Sequence, residues 1–260
     1  MKPFLLLATR AEDTVADNEY DAFLTYSGLD ESDLVRHRLE RDSLGQVDLD
    51  EFSGIVLGGS PFDYTAPVET KSEVQCRVEA DLHRLLDAVV AADFPLLGAC
   101  YGISTVGVHQ GAVVDRRYAE PVGAVRVTLT EAGQDDPLLV GMPRSFDAFV
   151  GHKEAISVLP PDAVLLAGSA TCPVQLFRVK QNIYATQFHP ELDVVGLCTR
   201  VDIYKHSGYF APEQAEDVKA MARRSRVTHP PTILRTFVTR YARTAGAGPT
   251  QDQPQRRTGL

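Results

Sequence analysis

The sequence predicts an α/β protein: three layers, α/β/α, around a mostly parallel central sheet with a partly antiparallel extension. Three observations predict this. Up to Cys100, short apolar runs alternate with amphipathic stretches, the order that builds parallel strand–helix–strand units. Beyond Cys100, strand candidates follow one another closely with Gly and Pro turns between them, as in antiparallel pairs. Two amphipathic stretches then close the chain.

The first strand is "PFLLLAT" and the next is "FSGIVLGGS", apolar throughout, as suits strands covered on both faces. Between them "NEYDAFLTYSGL" sets Tyr20, Phe23 and Leu24 at helical spacing and stops at Gly28. A long helix follows in "VETKSEVQCRVEADLHRLLDAVVAADF", where Val74, Val78, Leu82, Leu85, Leu86 and Val89 keep a 3.6-residue period. "FPLLGAC" is the third strand. "VGAVRVTLT", "DAFVGHKEAISVLP", "AVLLAGSATCPVQLFRV" and "NIYATQFH" supply the extension. The closing helices are "APEQAEDVKAMARRS", with Pro212 near its start, and "PTILRTFVTRYAR". One domain over 1–243 is expected. Residues 244–260, nearly devoid of apolar side chains, read as a disordered tail.

Composition narrows the function. The 260 residues carry 26 Lys and Arg against 35 Asp and Glu, a formal charge of −9, which suits neither a phosphate backbone nor an anionic membrane surface. Nucleic acid and membrane are therefore excluded as expected partners. The apolar run Phe4 to Ala8 is too short for a signal peptide, and no run reaches membrane-spanning length. The four cysteines are widely spaced with no C-x-x-C pair, so reduced thiols in a cytoplasmic protein are expected, with no disulfide framework, metal or cofactor. Cys76, Cys172 and Cys198 read as structural. His109 and Gln110 read as a helix end. "TRVDIYKHSGYFAP" (199–212), with Asp202, Tyr204, His206 and Tyr209, reads as a surface loop with half-buried aromatics.

Chemistry concentrates in "GACYG". Cys100 stands between Gly98 and Gly102 directly after a buried strand, where a tight strand-to-helix turn needs small neighbours around a strained nucleophile. Such a turn lifts the sulfur over the carboxyl edge of the sheet, where open α/β folds bind ligands. The following helix N-terminus favours a thiolate and aims backbone N–H groups at an oxyanion. A thiolate nucleophile needs an imidazole and a group that orients it. "QFHPEL" offers His189 after an apolar strand and Glu191 two residues on, with Pro190 stiffening the link. Gly58 and Gly59 end the second apolar strand, where backbone can approach a ligand closely.

In this order, a Gly-Gly turn, G-x-C-x-G after a strand and a late F-H-P-E resemble class I (triad-type) glutamine amidotransferases, most nearly the GMP-synthetase-like glutaminase domain. "GHKEAISVLP" resembles that family's His-containing segment ending in Leu-Pro, and "LLAGSATCPVQLFRV" the strand pair before its histidine. The similarity runs from Phe4 to Leu192 and implies a flavodoxin-like winding. It implies Cys100 as nucleophile, His189 as general base and acid, Glu191 as its orienting carboxylate, and the backbone N–H groups of Gly59 and Tyr101 as oxyanion hole. Gly58, Ser104 and the segment around His152 would contact substrate, the last through backbone at its amino-acid end. Family members commonly carry Gln where Ser104 stands. The implied substrate is glutamine or another γ-glutamyl compound, and the implied partner a separate ammonia-accepting synthetase subunit; a homo-oligomer is left open. A γ-glutamyl hydrolase or peptidase with the same triad, and a non-catalytic regulatory or binding subunit, are the alternatives.

Overall fold

In the computed structural model the described residues are 1–244; nearly all of the expected tail lies outside them. The parallel half of the sheet comprises β1 (Phe4–Ala8), β2 (Leu34–Arg38), β3 (Gly54–Leu57), β4 (Leu96–Ala99) and β11 (Ile183–Thr186). The other half comprises β6 (Glu120–Leu129), β7 (Ser145–His152), β9 (Ala163–Ser169) and β10 (Leu176–Val179), all antiparallel. Together they form one nine-stranded sheet ordered β2-β1-β3-β4-β11-β10-β9-β6-β7. β5 (Val113–Asp115) and β8 (Ala155–Val158) pair separately. The sequence candidate "DAFVGHKEAISVLP" is thus two strands in two sheets.

Alternation along each parallel strand builds two cores. In β1, Phe4 and Leu6 point to one face, Leu5 and Leu7 to the other. The first face is covered by α1 (Asp13–Ser27) and α7 (Pro231–Tyr241), through Phe23, Ile233, Leu234 and Phe237. The second is covered by α2 (Glu73–Ala92) and α3 (Tyr101–His109), through Val78, Leu82, Leu86, Ile103 and Val106. Burying one such Leu or Phe stabilises the fold by about 1.5–3 kcal/mol. Ser72 caps α2 by accepting from Gln75 N, and Asp93 ends it in the left-handed region. Val74, expected on the buried stripe, is exposed. Gly28 ends α1 at φ 78°, its N–H donating to Leu24 O. α4 (Glu131–Asp135) is a single short turn, and α6 is Ala215–Arg224. Pro212 opens a 3-10 turn just before α6 rather than the helix itself.

Two elements depart from the sequence reading. β2, "LVRHR", is an edge strand paired on one side only, so it tolerates alternate polar residues and lacks an apolar run. The expected loop at 199–212 begins as helix: α5 spans Val194–Tyr204, capped by Asp193, whose side chain accepts from Gly196 N at 2.7 Å. Leu197, Arg200, Val201 and Tyr204 form its buried stripe. No described helix is long and apolar enough to cross a membrane.

Candidate active site

The site forms where β1, β3, β4 and β11 end at the carboxyl edge. Cys100 sits between β4 and α3 at φ 54°, ψ −93°, a conformation costly for a residue with a Cβ. Its N–H donates to Thr186 O at 2.8 Å on neighbouring β11, which helps hold the turn. The flanking glycines explain themselves sterically. A Cβ on Gly98 would lie 3.0 Å from the carbonyl carbon of Gly102, and one on Gly102 would lie 3.2 Å from Leu57 O. Strand and helix cross too closely for side chains.

His189 follows β11, its N–H donating to Phe149 O. Its Nδ1 lies 2.8 Å from Glu191 Oε1. Burial alone would lower the imidazole pKa, but the Glu191 carboxylate, and then the neighbouring Cys100, outweigh it and raise the value to about 9. Glu191 is fully buried. Burial would raise its pKa, yet His189 and then Arg200 hold it well below the usual carboxylate range.

Three charged residues that the sequence reading missed support this pair. Arg200, on α5, places Nη2 2.9 Å from Glu191 Oε1 and 3.3 Å from Glu19 Oε1, and Nη1 3.1 Å from His189 Nδ1. Arg10, just past β1, donates through Nε to Glu19 Oε1 at 2.8 Å. Glu19 has no exposed surface, and Arg10 and Arg200 are 4% and 8% exposed. The chain Arg10–Glu19–Arg200–Glu191 alternates in sign, so each buried charge meets its opposite. The position of Arg10 at the end of an apolar first strand was the one available signal.

The remaining expected residues separate. A Cβ on Gly59 would lie 2.7 Å from His189 Cε1 and 2.8 Å from Arg10 Nη2, so only glycine lets these groups close over the turn. Gly58 backs onto Glu19 instead, its virtual Cβ 2.9 Å from Oε2. Tyr101 is the first residue of α3, where backbone N–H groups lack intrahelical acceptors, and its ring packs on Phe62 and Tyr64. Ser104 lies one turn on, at a cavity shared with Cys100 and Gly151. The His152 ring is engaged elsewhere, Nε2 2.8 Å from Glu120 Oε2 and Nδ1 2.9 Å from Glu154 O. Cys172 lies close to this Glu120–His152 pair, but the carboxylate is already met by Gln175, Ser169 and Thr171 as well, so both its oxygens are engaged. Glu154 accepts from the backbone N–H groups of Tyr64 and Thr65, holding the 62–66 loop over the site; burial pushes its carboxyl up to about 7.

A cysteine raised on an elbow at the carboxyl edge of a wound sheet, beside an imidazole held by a carboxylate, is the arrangement of triad-type cysteine enzymes. The class-I glutamine amidotransferase profile matches residues 26–194, and the chain belongs to that family. It is similar to one subunit of the glutamine-hydrolysing GMP synthase of Thermoplasma acidophilum, 32% identical over 157 residues, which are 58% of this chain and 70% of that one. The corresponding subunit from Methanoculleus marisnigri is 31% identical over 140 residues, 54% of this chain and 65% of that one. With the GMP synthase of Thermosipho africanus the match spans only 22% of the relative's length, at 30% identity over 44% of this chain. Among solved structures, a glutamine amidotransferase from Thermotoga maritima shares the fold at TM-score 0.69 and 18% identity, over 93% of this chain and 98% of that one.

Proposed function

We propose that the protein hydrolyses the side-chain amide of glutamine to glutamate and ammonia. The observation that carries this is the Cys100 elbow beside the His189–Glu191 pair. As a thiolate, Cys100 attacks the carboxamide carbon, and the backbone N–H groups of Gly59 and Tyr101 receive the developing oxyanion. The C–N bond breaks as His189 delivers its proton to the departing nitrogen. Water then attacks the γ-glutamyl thioester, giving its proton to His189, and glutamate leaves. Glu191, ionised and clamped by Arg200, keeps the imidazole oriented and favours its protonated form. The names of the relatives suggest a partner: a separate synthetase subunit that consumes the ammonia, in the cytoplasm. Ser104, shorter than the glutamine common at that position, keeps hydrolysis of larger γ-glutamyl compounds as a second reading.

The test is glutamate release from glutamine, together with labelling of Cys100 by a glutamine-like diazoketone. Labelling at Cys100, abolished in Cys100→Ser, is expected even if turnover awaits a partner. A Cys100 that reacts no faster than a free thiol would overturn the reading.

A further inference from the structure

Cys100 stands at the junction of two cavities. One is the more polar, bordered by Asp63, Ser104, Lys153, Glu154 and Gln187 together with Phe62 and Tyr101. The other, open to solvent, has a wall of Val122, Leu192, Leu197 and Val201 with the rings of Tyr204 and Phe210, and meets His189, Arg10 and Arg200. Tyr209 borders both beside Cys100, its ring 4.5 Å from Lys153 Nζ.

The two halves of an amide part at the carbon that Cys100 attacks. The nitrogen must leave towards the acid that protonates it, and His189 lies on the second cavity only. The acyl half then occupies the polar cavity, on the Ser104 side, with the Lys153 ammonium and the Asp63 and Glu154 carboxyls near its amino-acid end. Ammonia has no carbon to set against an aliphatic and aromatic wall. An amine with an apolar body does. Arg10 adds a second requirement. Its Nε is held by Glu19, while its terminal nitrogens lie beside Gly59, the Tyr204 ring and this cavity. A guanidinium so placed suits a carboxylate on the departing amine.

We propose that the second cavity is a leaving-group site, and that the preferred substrates are γ-glutamyl dipeptides whose second residue is apolar or aromatic. This rests on the triad chemistry proposed above and develops the second reading given there, with glutamine retained as the poorer substrate. The Cys100 sulfur bonds to the γ-carbon, and the C–N pair goes to nitrogen with the proton of His189, freeing the amino acid. One water then cleaves the thioester, returning a proton to His189 and releasing glutamate. The side chain of the departing residue lies on the Val122–Val201 wall and its carboxylate meets Arg10.

The full chain is assayed for kcat/KM on γ-glutamyl-phenylalanine, γ-glutamyl-phenethylamide, which lacks the carboxylate, and glutamine. The expected order is dipeptide first, at least tenfold above glutamine, with the phenethylamide between. Val122→Phe, which intrudes on the cavity, lowers the dipeptide-to-glutamine ratio at least tenfold; should it not fold, the three substrates decide alone. Glutamine equal to or better than both conjugates overturns the proposal, as does an unchanged ratio in folded Val122→Phe. A phenethylamide as good as the dipeptide overturns the role of Arg10. Failure of all three substrates with an unlabelled Cys100 is instead the failure of the triad chemistry itself.

Discussion

Replacing Glu191 by Gln keeps the shape of the side chain and removes its charge. The carboxylate is fully buried, 2.8 Å from His189 Nδ1 and 2.9 Å from Arg200 Nη2. Burial would lower the pKa of His189, and Glu191 first, then Cys100, raise it from 6.5 to about 9. That rise corresponds to about 3 kcal/mol in favour of the imidazolium. In Glu191→Gln, burial and the facing Arg200 charge dominate, and the imidazole pKa falls. The new amide can also donate to Nδ1 and select the wrong tautomer. Thioester formation at neutral pH is expected to fall by ~10²–10⁴-fold. A rapid-quench measurement of acylation reads this, and the pH profile adds a second readout. In the parent, the alkaline limb of kcat/KM follows loss of the imidazolium near 9; in the variant it moves down by more than a unit. Stability follows the same sign. The His189 contribution is complete below 6.5 and lost as pH rises through about 9, while that of Glu191 is complete above 4.5 and lost on acidification. Acylation within threefold of the parent, with an unmoved alkaline limb, would refute the reasoning.

Gly98→Ala sets a methyl against the Gly102 backbone, which has no rotamer with which to yield, and is expected to cost ~1–3 kcal/mol in urea unfolding; an unchanged midpoint would show that the crossing is looser than drawn. Glu19→Gln removes the anion shared by Arg10 and Arg200, and a loss of ~3–5 kcal/mol is expected in the same assay, with less than about 1 kcal/mol contradicting a working network. Cys172 is buried and its thiol is pushed up to about 12 by that burial, so a disulfide reagent at mildly alkaline pH should reach it only after unfolding; native labelling as fast as that of exposed Cys76 would contradict this.

What the sequence disclosed depended on whether a residue's reason is local. Cys100 announces itself because strain on one turn demands glycines on either side. Buried strands such as "FLLLA" announce themselves because both faces are covered. β2 was hidden because an edge strand can carry Arg36 and Arg38 on a half-wet surface. α5 was hidden because its stripe begins before the segment read as loop, and includes an arginine whose burial depends on carboxylates far away in sequence. Arg10, Glu19 and Arg200 are legible only as a set, and no spacing rule joins them. His152 was expected to meet substrate through backbone, and neither Glu120 nor Gln175, which occupy its surroundings, could be tied to it from one dimension.

The place of β11 has a consequence for biosynthesis. It lies in the middle of the sheet, between β4 and β10, yet among the described residues it is the last strand in chain order. A nascent polypeptide that has just produced Cys100 has neither Thr186 to fasten the elbow nor His189 beside it, and the Arg200 clamp emerges later still. Under the function proposed above, the nucleophile gains its partners only when β11 slots in, which spares the ribosome-bound intermediate an early reactive thiol.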